Sequence, residues 1–209
     1  MKIITDKTKN GLTNPEFTKH LLNPVMKSEL SAKEIDELRT KMEIALDSYG
    51  GLGLSANQLG IDKRVCLIRV REHNYFLVNP FITEKNKEGF IFYEGCLSIP
   101  KTMEIPVRTI RSTKIKVITD NLGELEFEIN PDGDKEQVSD ETLLTVVVQH
   151  EIDHLDGKTI RDRVYSTTVT KKTSYGRNDK ILMKSPDNEF VEVKYKKAND
   201  YFLKGYEIV

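Results

Sequence analysis

The run His150-Glu151-Ile152-Asp153-His154 constrains this chain more than any other, because of what stands in front of it. Leu143-Leu144-Thr145-Val146-Val147-Val148 is a nearly continuous apolar stretch. One helix, starting near Ser139 or Asp140 and running to Gly157, takes in both segments. An apolar helix of that kind is buried, and it carries two histidines and a glutamate inside with it. Burying such groups without partners is costly, and a metal ion supplies the compensation. Residues four apart on a helix project from one face about a turn apart, so His150 and His154 can grip one ion. Glu151 points to an adjacent face and can reach a water on that ion. Two ligands and a general base within five residues are the HExxH arrangement of metal hydrolases. Five residues alone also arise by chance on polar helix faces. Here an exposed face would be crowded by Asp153 and Asp156, and the apolar run argues against exposure.

A catalytic divalent site usually takes three protein ligands and leaves one position open. Downstream of His154, Asp156 and Asp162 are close, but neither makes a clear third ligand. Upstream, Cys96 stands in Glu94-Gly95-Cys96-Leu97-Ser98, where Gly95 lets the backbone come close and polar groups surround the thiol. A thiolate suits a soft divalent metal, which makes Cys96 the better candidate. The other cysteine, Cys66, lies in Val65-Cys66-Leu67-Ile68-Arg69-Val70, a short apolar run that reads as a buried strand with the thiol as a small core group. Two cysteines make no disulfide framework.

Composition sets the frame. The chain has 209 residues, 38% hydrophobic and 31% charged, which fits a globular protein with one core-bearing domain and an appendage. A formal net charge of −1 gives no basic field and argues against specific nucleic acid binding. No apolar run approaches the roughly 18–20 residues of a membrane span, and the N-terminal residues turn polar too early for a signal peptide. A cytoplasmic protein without membrane contact is the expectation.

Ser31-Ala32-Lys33-Glu34 has the capping-box pattern. Apolar residues at Ile35, Leu38, Met42, Ala45 and Tyr49 then predict an amphipathic helix stopped by Gly50-Gly51. A glycine-rich turn over 51–60 follows. Strand-like segments lie at 65–70, 75–79, 90–93, 114–119 and 124–129, the last two joined by a hairpin at Asp120-Asn121-Leu122-Gly123. Residues 130–134 read as a loop. Helix, strands and core helix segregate, which predicts an α+β fold of antiparallel sheets packed around a central metal-binding helix. From about Ser166 the pattern changes to a polar linker, then an alternating, exposed strand over 190–196, then a stretch over 201–209 apolar enough to dock on something. The expected division is a catalytic domain over 1–165 and an extension over 166–209.

Three segments resemble the signature motifs of the peptide deformylase family, in the family's order. Gly51-Leu52-Gly53-Leu54-Ser55-Ala56-Asn57-Gln58 matches the first, with Ser55 in place of an alanine. Glu94 to Ser98 matches the second and Gln149 to Gly157 the third, both in full. The resemblance implies that Cys96, His150 and His154 bind one divalent metal ion per chain, physiologically Fe2+, with Zn2+, Ni2+ or Co2+ as alternatives. It implies that Glu151 is general base and then acid, and that Gln58 and the backbone N–H of Leu97 form an oxyanion hole. Substrate backbone would pair near Leu52, Gly53 and the 92–95 segment, including Gly95. The implied substrate is an N-formylmethionyl peptide, released as formate and a free N-terminus, with the ribosome as a further partner during translation and a monomer as the working form.

The roles agree with general chemistry. A divalent metal lowers the pKa of its water from about 16 towards about 7, a carboxylate can move that proton, and fixed amide donors stabilise a developing oxyanion. Val146, Val147 and Leu97 offer apolar surface for a methionine side chain. Two rivals remain distinguishable: an HExxH protease, indifferent to Cys96, and a metal-binding protein without turnover, which has no need of Glu151 or Gln58. The chain departs from many bacterial members after the third motif, where no long polar helix is readable. Gly176-Arg177-Asn178-Asp179 is followed by no cysteine, so a second zinc site is not expected.

Overall fold

The computed structural model describes residues 1–129, 138–165, 176–185, 190–202, 204 and 206–208. The expected loop at 130–134, the linker from 166 and Val209 lie outside them. The chain divides into two compact units, Met1–Tyr165 and Ser166–Val209.

In the first unit the elements run α1 (Pro15–Leu21), α2 (Ala32–Tyr49), β1 (Gly53–Ser55), β2 (Val65–Val70), β3 (His73–Val78), β4 (Phe81–Lys85), β5 (Gly89–Glu94), α3 (Lys101–Glu104), β6 (Val107–Ser112), β7 (Lys114–Thr119), β8 (Gly123–Glu128) and α4 (Asp140–Leu155). Three antiparallel sheets result, ordered β1-β2-β3, β4-β7-β8 and β5-β6. This is the expected α+β arrangement.

The capping box at Ser31 forms as read. Glu34 N–H donates to the Ser31 hydroxyl at 3.3 Å, and the Glu34 carboxylate accepts from Ser31 N–H at 2.9 Å. Gly50 closes the helix in the left-handed region, φ 73°, with its N–H on the Leu46 carbonyl at 2.8 Å. Strand β2 explains its own apolar sequence, broken only at the part-exposed Arg69, because both of its faces are covered. Val65 and Leu67 pack with Leu38, Met42, Ala45 and Leu46 of α2. Cys66, Ile68 and Val70 pack with Leu144, Val148, Ile152 and Leu155 of α4. Sheet β1-β2-β3 is thus clamped between two helices, and α4 is held by one apolar face with its other side turned to chemistry.

The second unit holds β9 (Lys180–Lys184), β10 (Phe190–Lys194), α5 (Ala198–Phe202) and β11 (Glu207–Ile208), with sheet order β10-β9-β11. Its core is Ile181, Met183, Val193 and Ala198, with Tyr201 and Tyr206 packed against it. The stretch over 201–209, read as apolar enough to dock on something, thus has Tyr201 and Tyr206 packed within its own unit. The expected strand over 190–196 is shorter, giving way to a 3₁₀ turn at Tyr195–Lys197.

Candidate metal centre and its cleft

Helix α4 presents His150, Glu151 and His154 from its buried side. Cys96 comes from the loop after β5, fixed from several directions. Its N–H donates to the Thr102 hydroxyl at 2.9 Å, which donates in turn to the Ile99 carbonyl at 2.6 Å. Phe17 and Leu21 of α1, with Ile99 and Ile160, enclose it. Gly95 is required by close approach, since a Cβ there would stand 2.8 Å from Met103 Sδ and 3.0 Å from the Thr102 carbonyl oxygen.

The ligating atoms of Cys96, His150 and His154 lie within 4.8 Å of one another, and all three side chains are buried. Cys96 Sγ is 3.3 Å from His154 Nε2. His154 Nδ1 lies 3.2 Å from the Lys158 carbonyl oxygen, which can only accept, so that nitrogen carries the proton. His150 Nδ1 lies 2.7 Å from Glu94 Oε2, which fixes it in the same sense. Both rings thereby turn an Nε2 lone pair inward, the usual way a second contact orients a ligating imidazole. Burial alone would raise the Cys96 thiol, but the His154 and His150 imidazoles outweigh it and hold it at about 5. At neutral pH the group is a thiolate, the form that binds metal. A thiolate and two aimed imidazoles, dry and converging, match the donor set of a divalent transition metal.

Glu94 joins this triad to a buried ion network. It accepts from Arg111 Nε at 2.6 Å and Nη2 at 2.7 Å, and from the Thr109 hydroxyl. Arg111 Nη1 continues to Asp153 Oδ2 at 2.5 Å, and Arg163 grips Asp153 at 2.8 and 2.6 Å. Burial would raise the Glu94 carboxyl, but His150 and Arg111 hold it well below the usual carboxylate range. Asp153 thus spends its charge on arginines and not on solvent. Asp156, part exposed, pairs at 2.6 Å with Arg64, a fully buried residue that also donates to the Val25 and Leu155 carbonyls.

Glu151 lies beside the triad with Oε2 lacking any partner among the described residues, and burial pushes its pKa up. Gly53 of β1 makes room for it, because a Cβ there would stand 2.7 Å from Glu151 Oε1 and from Val147 Cγ1. Gln58, in the 3₁₀ turn Ala56–Leu59, is oriented without ambiguity. Its Oε1 accepts from Ser55 N–H at 2.9 Å and the Ser55 hydroxyl at 3.0 Å, so Nε2 faces Ser98 Oγ at 3.1 Å and keeps a second hydrogen. The Leu97 N–H has no partner among the described residues. Leu52, Gly53, Gln58, Gly95, Leu97 and Glu151 all line one cleft of about 210 Å³, together with Cys96 and His150. Leu143, Val146, Val147 and Met103 supply its apolar wall. Every residue named from the sequence for the site lines this cleft except His154, whose Nε2 stands 3.3 Å from Cys96 Sγ.

Sequence reasoning passed over Arg111 and Asn57. Asn57 Nδ2 donates to the carbonyls of His154, at 2.7 Å, and His20, at 2.9 Å, and so ties the end of α4 to α1. An asparagine inside a glycine-rich turn gives no such signal.

Comparison with known proteins places this geometry. Residues 10–170 match the sequence model of the polypeptide deformylase family. A peptide deformylase from Dictyoglomus thermophilum is 34% identical over 154 residues, which is 70% of this chain and 91% of that protein. Among solved structures, the peptide deformylase of Thermotoga maritima aligns with a TM-score of 0.59 and 28% identity, over 79% of this chain and 97% of its own. One from Legionella pneumophila aligns with a TM-score of 0.60 and 26% identity, over 78% of this chain and 85% of its own.

Proposed function

Because the chain belongs to the polypeptide deformylase family, and so removes the N-formyl group from nascent peptides, we propose that it does this in the cleft at Cys96, His150 and His154. Family and donor set together indicate one metal ion. We assign it as ferrous iron physiologically, with zinc, nickel or cobalt able to take the same thiolate and imidazoles. When bound, such an ion supplies a Lewis acid and makes a nucleophile available near neutral pH.

The chain's own groups do the rest. Glu151 takes the proton of the attacking water and delivers it to the leaving amine. Its unpartnered, desolvated carboxylate is suited to hold a proton between the two steps. Gln58 Nε2 and Leu97 N–H donate to the developing oxyanion, and each is worth roughly 3–4 kcal/mol in such sites. Strands β1 and β5 each have a single partner strand among the described residues, which leaves Leu52, Gly53 and Gly95 beside open backbone where an extended peptide can add as a strand. Leu97, Val146 and Val147 accept the methionine side chain. The observation that carries this reading is the buried Cys-His-His triad with an unpartnered glutamate against it.

Metal-loaded protein should release formate from formyl-Met-Ala-Ser and lose that activity to a chelator. The Cys96→Ala variant should lose both metal and formate release. Retention of both by that variant would remove Cys96 from the site and favour a protease-like metal centre.

No helix among the described residues is long and apolar enough to cross a membrane. We assign the protein to the cytoplasm as a monomer that meets its formylated substrates at the ribosome, with residues 1–165 as the catalytic domain and 166–209 as an accessory extension.

A further inference from the structure

A second cleft, of about 220 Å³, opens where the turn after β4 meets the end of β6 and the 3₁₀ turn Ile160–Arg163. Lys85, Lys87, Arg111, Ser112 and Arg163 are among its walls. The metal cleft shares none of these residues. Its cations are in excess. Among the described residues the side chains of Lys85 and Lys87 make no ion pair or hydrogen bond, and the Ser112 hydroxyl has no partner. Arg163 spends Nε and Nη2 on Asp153 and keeps Nη1 free. Arg111 is only 3% exposed and is held rigidly by Glu94 and Asp153. The acidic groups facing the cleft are Glu88, which accepts from Thr113, and Asp153, whose two oxygens are already taken by the arginines.

We propose that this cleft binds a small multivalent oxyanion of the phosphate class, held by Lys85, Lys87, Ser112 and the free edge of Arg163. Ammonium, guanidinium and hydroxyl donors lining one concavity are the elements of an oxyanion site. The field at Lys85 agrees. Burial pushes its pKa down, and the neighbouring cations Arg163, Lys158 and Arg111 push the same way against Asp153 alone. A bound dianion would reverse that balance. Arg163 reaches Asp153, Arg111 bonds both Asp153 and Glu94, and Glu94 bonds His150, so the ligand would sit at the outer end of the network that steadies the metal site.

Titration calorimetry on the full-length, metal-loaded protein tests this, with inorganic phosphate as the probe and chloride holding the ionic strength constant. Saturable binding of one phosphate is expected, weakened at least about tenfold by Lys85→Ala and abolished by Lys85→Glu. Neither variant should alter formate release or circular dichroism, because Lys85 touches nothing in the metal cleft. Absence of saturable binding by the native protein overturns the proposal. So does equal binding by native protein and Lys85→Ala, which would put the phosphate elsewhere, the metal cleft included.

Discussion

Replacing Glu94 by glutamine keeps the length of the side chain but removes the charge that faces both Arg111 and His150. The amide would no longer bias His150 towards the Nδ1–H form with its lone pair aimed at the metal position. Metal affinity should fall about 10–100-fold, the usual cost of losing a contact that orients a ligand. Residual metal after dialysis against graded chelator measures this, and retention equal to that of the native protein would refute the role. Glu151→Gln separates binding from chemistry. It leaves the three donors untouched and should retain metal, while formate release drops about 10²–10⁴-fold with loss of the proton carrier. A drop smaller than that range would assign the base elsewhere. The placing of His150, Glu151 and His154 together on α4 was readable because helical spacing ties identity to direction, whereas Cys96 was singled out by its glycine context. Arg111 was not. An arginine in Val107-Arg108-Thr109-Ile110-Arg111-Ser112 reads as solvent-facing, yet Thr109 and Arg111 are buried while Ile110 is exposed. The ordinary alternation is inverted because that face of the strand exists to hold Glu94.

Close packing of β1 on α4 makes the site as much a matter of elements as of residues. A Cβ at Gly53 would press on Glu151 Oε1 and Val147 Cγ1 at 2.7 Å. Gly53→Ala should therefore fold, since side chains and not backbone are in the way, but displace the carboxylate. Turnover is expected to fall at least about tenfold, with a loss of roughly 1–3 kcal/mol in stability from overpacking. Formate release beside a thermal melt reads both, and unchanged turnover would show that Glu151 has room to move. The same packing logic decides which elements were legible. Helices α2 and α4 and strand β2 follow directly from capping, periodicity and a mostly apolar run, because each is covered by core on a predictable face. Strands β4 and β6 and helix α1 were not foreseen. Phe81 is exposed at the start of β4, its ring stacked under the Arg64 guanidinium, and α1 is only seven residues long. Elements like these are placed by contacts distant in sequence, which no local pattern displays.

For the molecule as a whole, the division at Tyr165 bears on what the extension does. Every residue of the metal cleft, and every member of the three apolar clusters around it, precedes that point. The second unit has an apolar core of its own among the described residues. The region shared with deformylase relatives also ends close to it, at residue 170. Domains with complete cores can fold alone, so a chain ending at Tyr165 should melt in one transition and release formate within about threefold of the full-length rate. Both quantities are compared at matched metal content, because loss of metal would mimic loss of the extension. Failure to fold, or a collapse of turnover with metal retained, would show that residues 166–209 support the catalytic unit directly. Activity retained on a short formyl peptide then allows a sharper measurement: the same pair of proteins on ribosome-bound formylated chains. If the extension serves delivery to nascent chains, the truncated form should fall behind on that substrate alone, as a rise in KM with kcat unchanged.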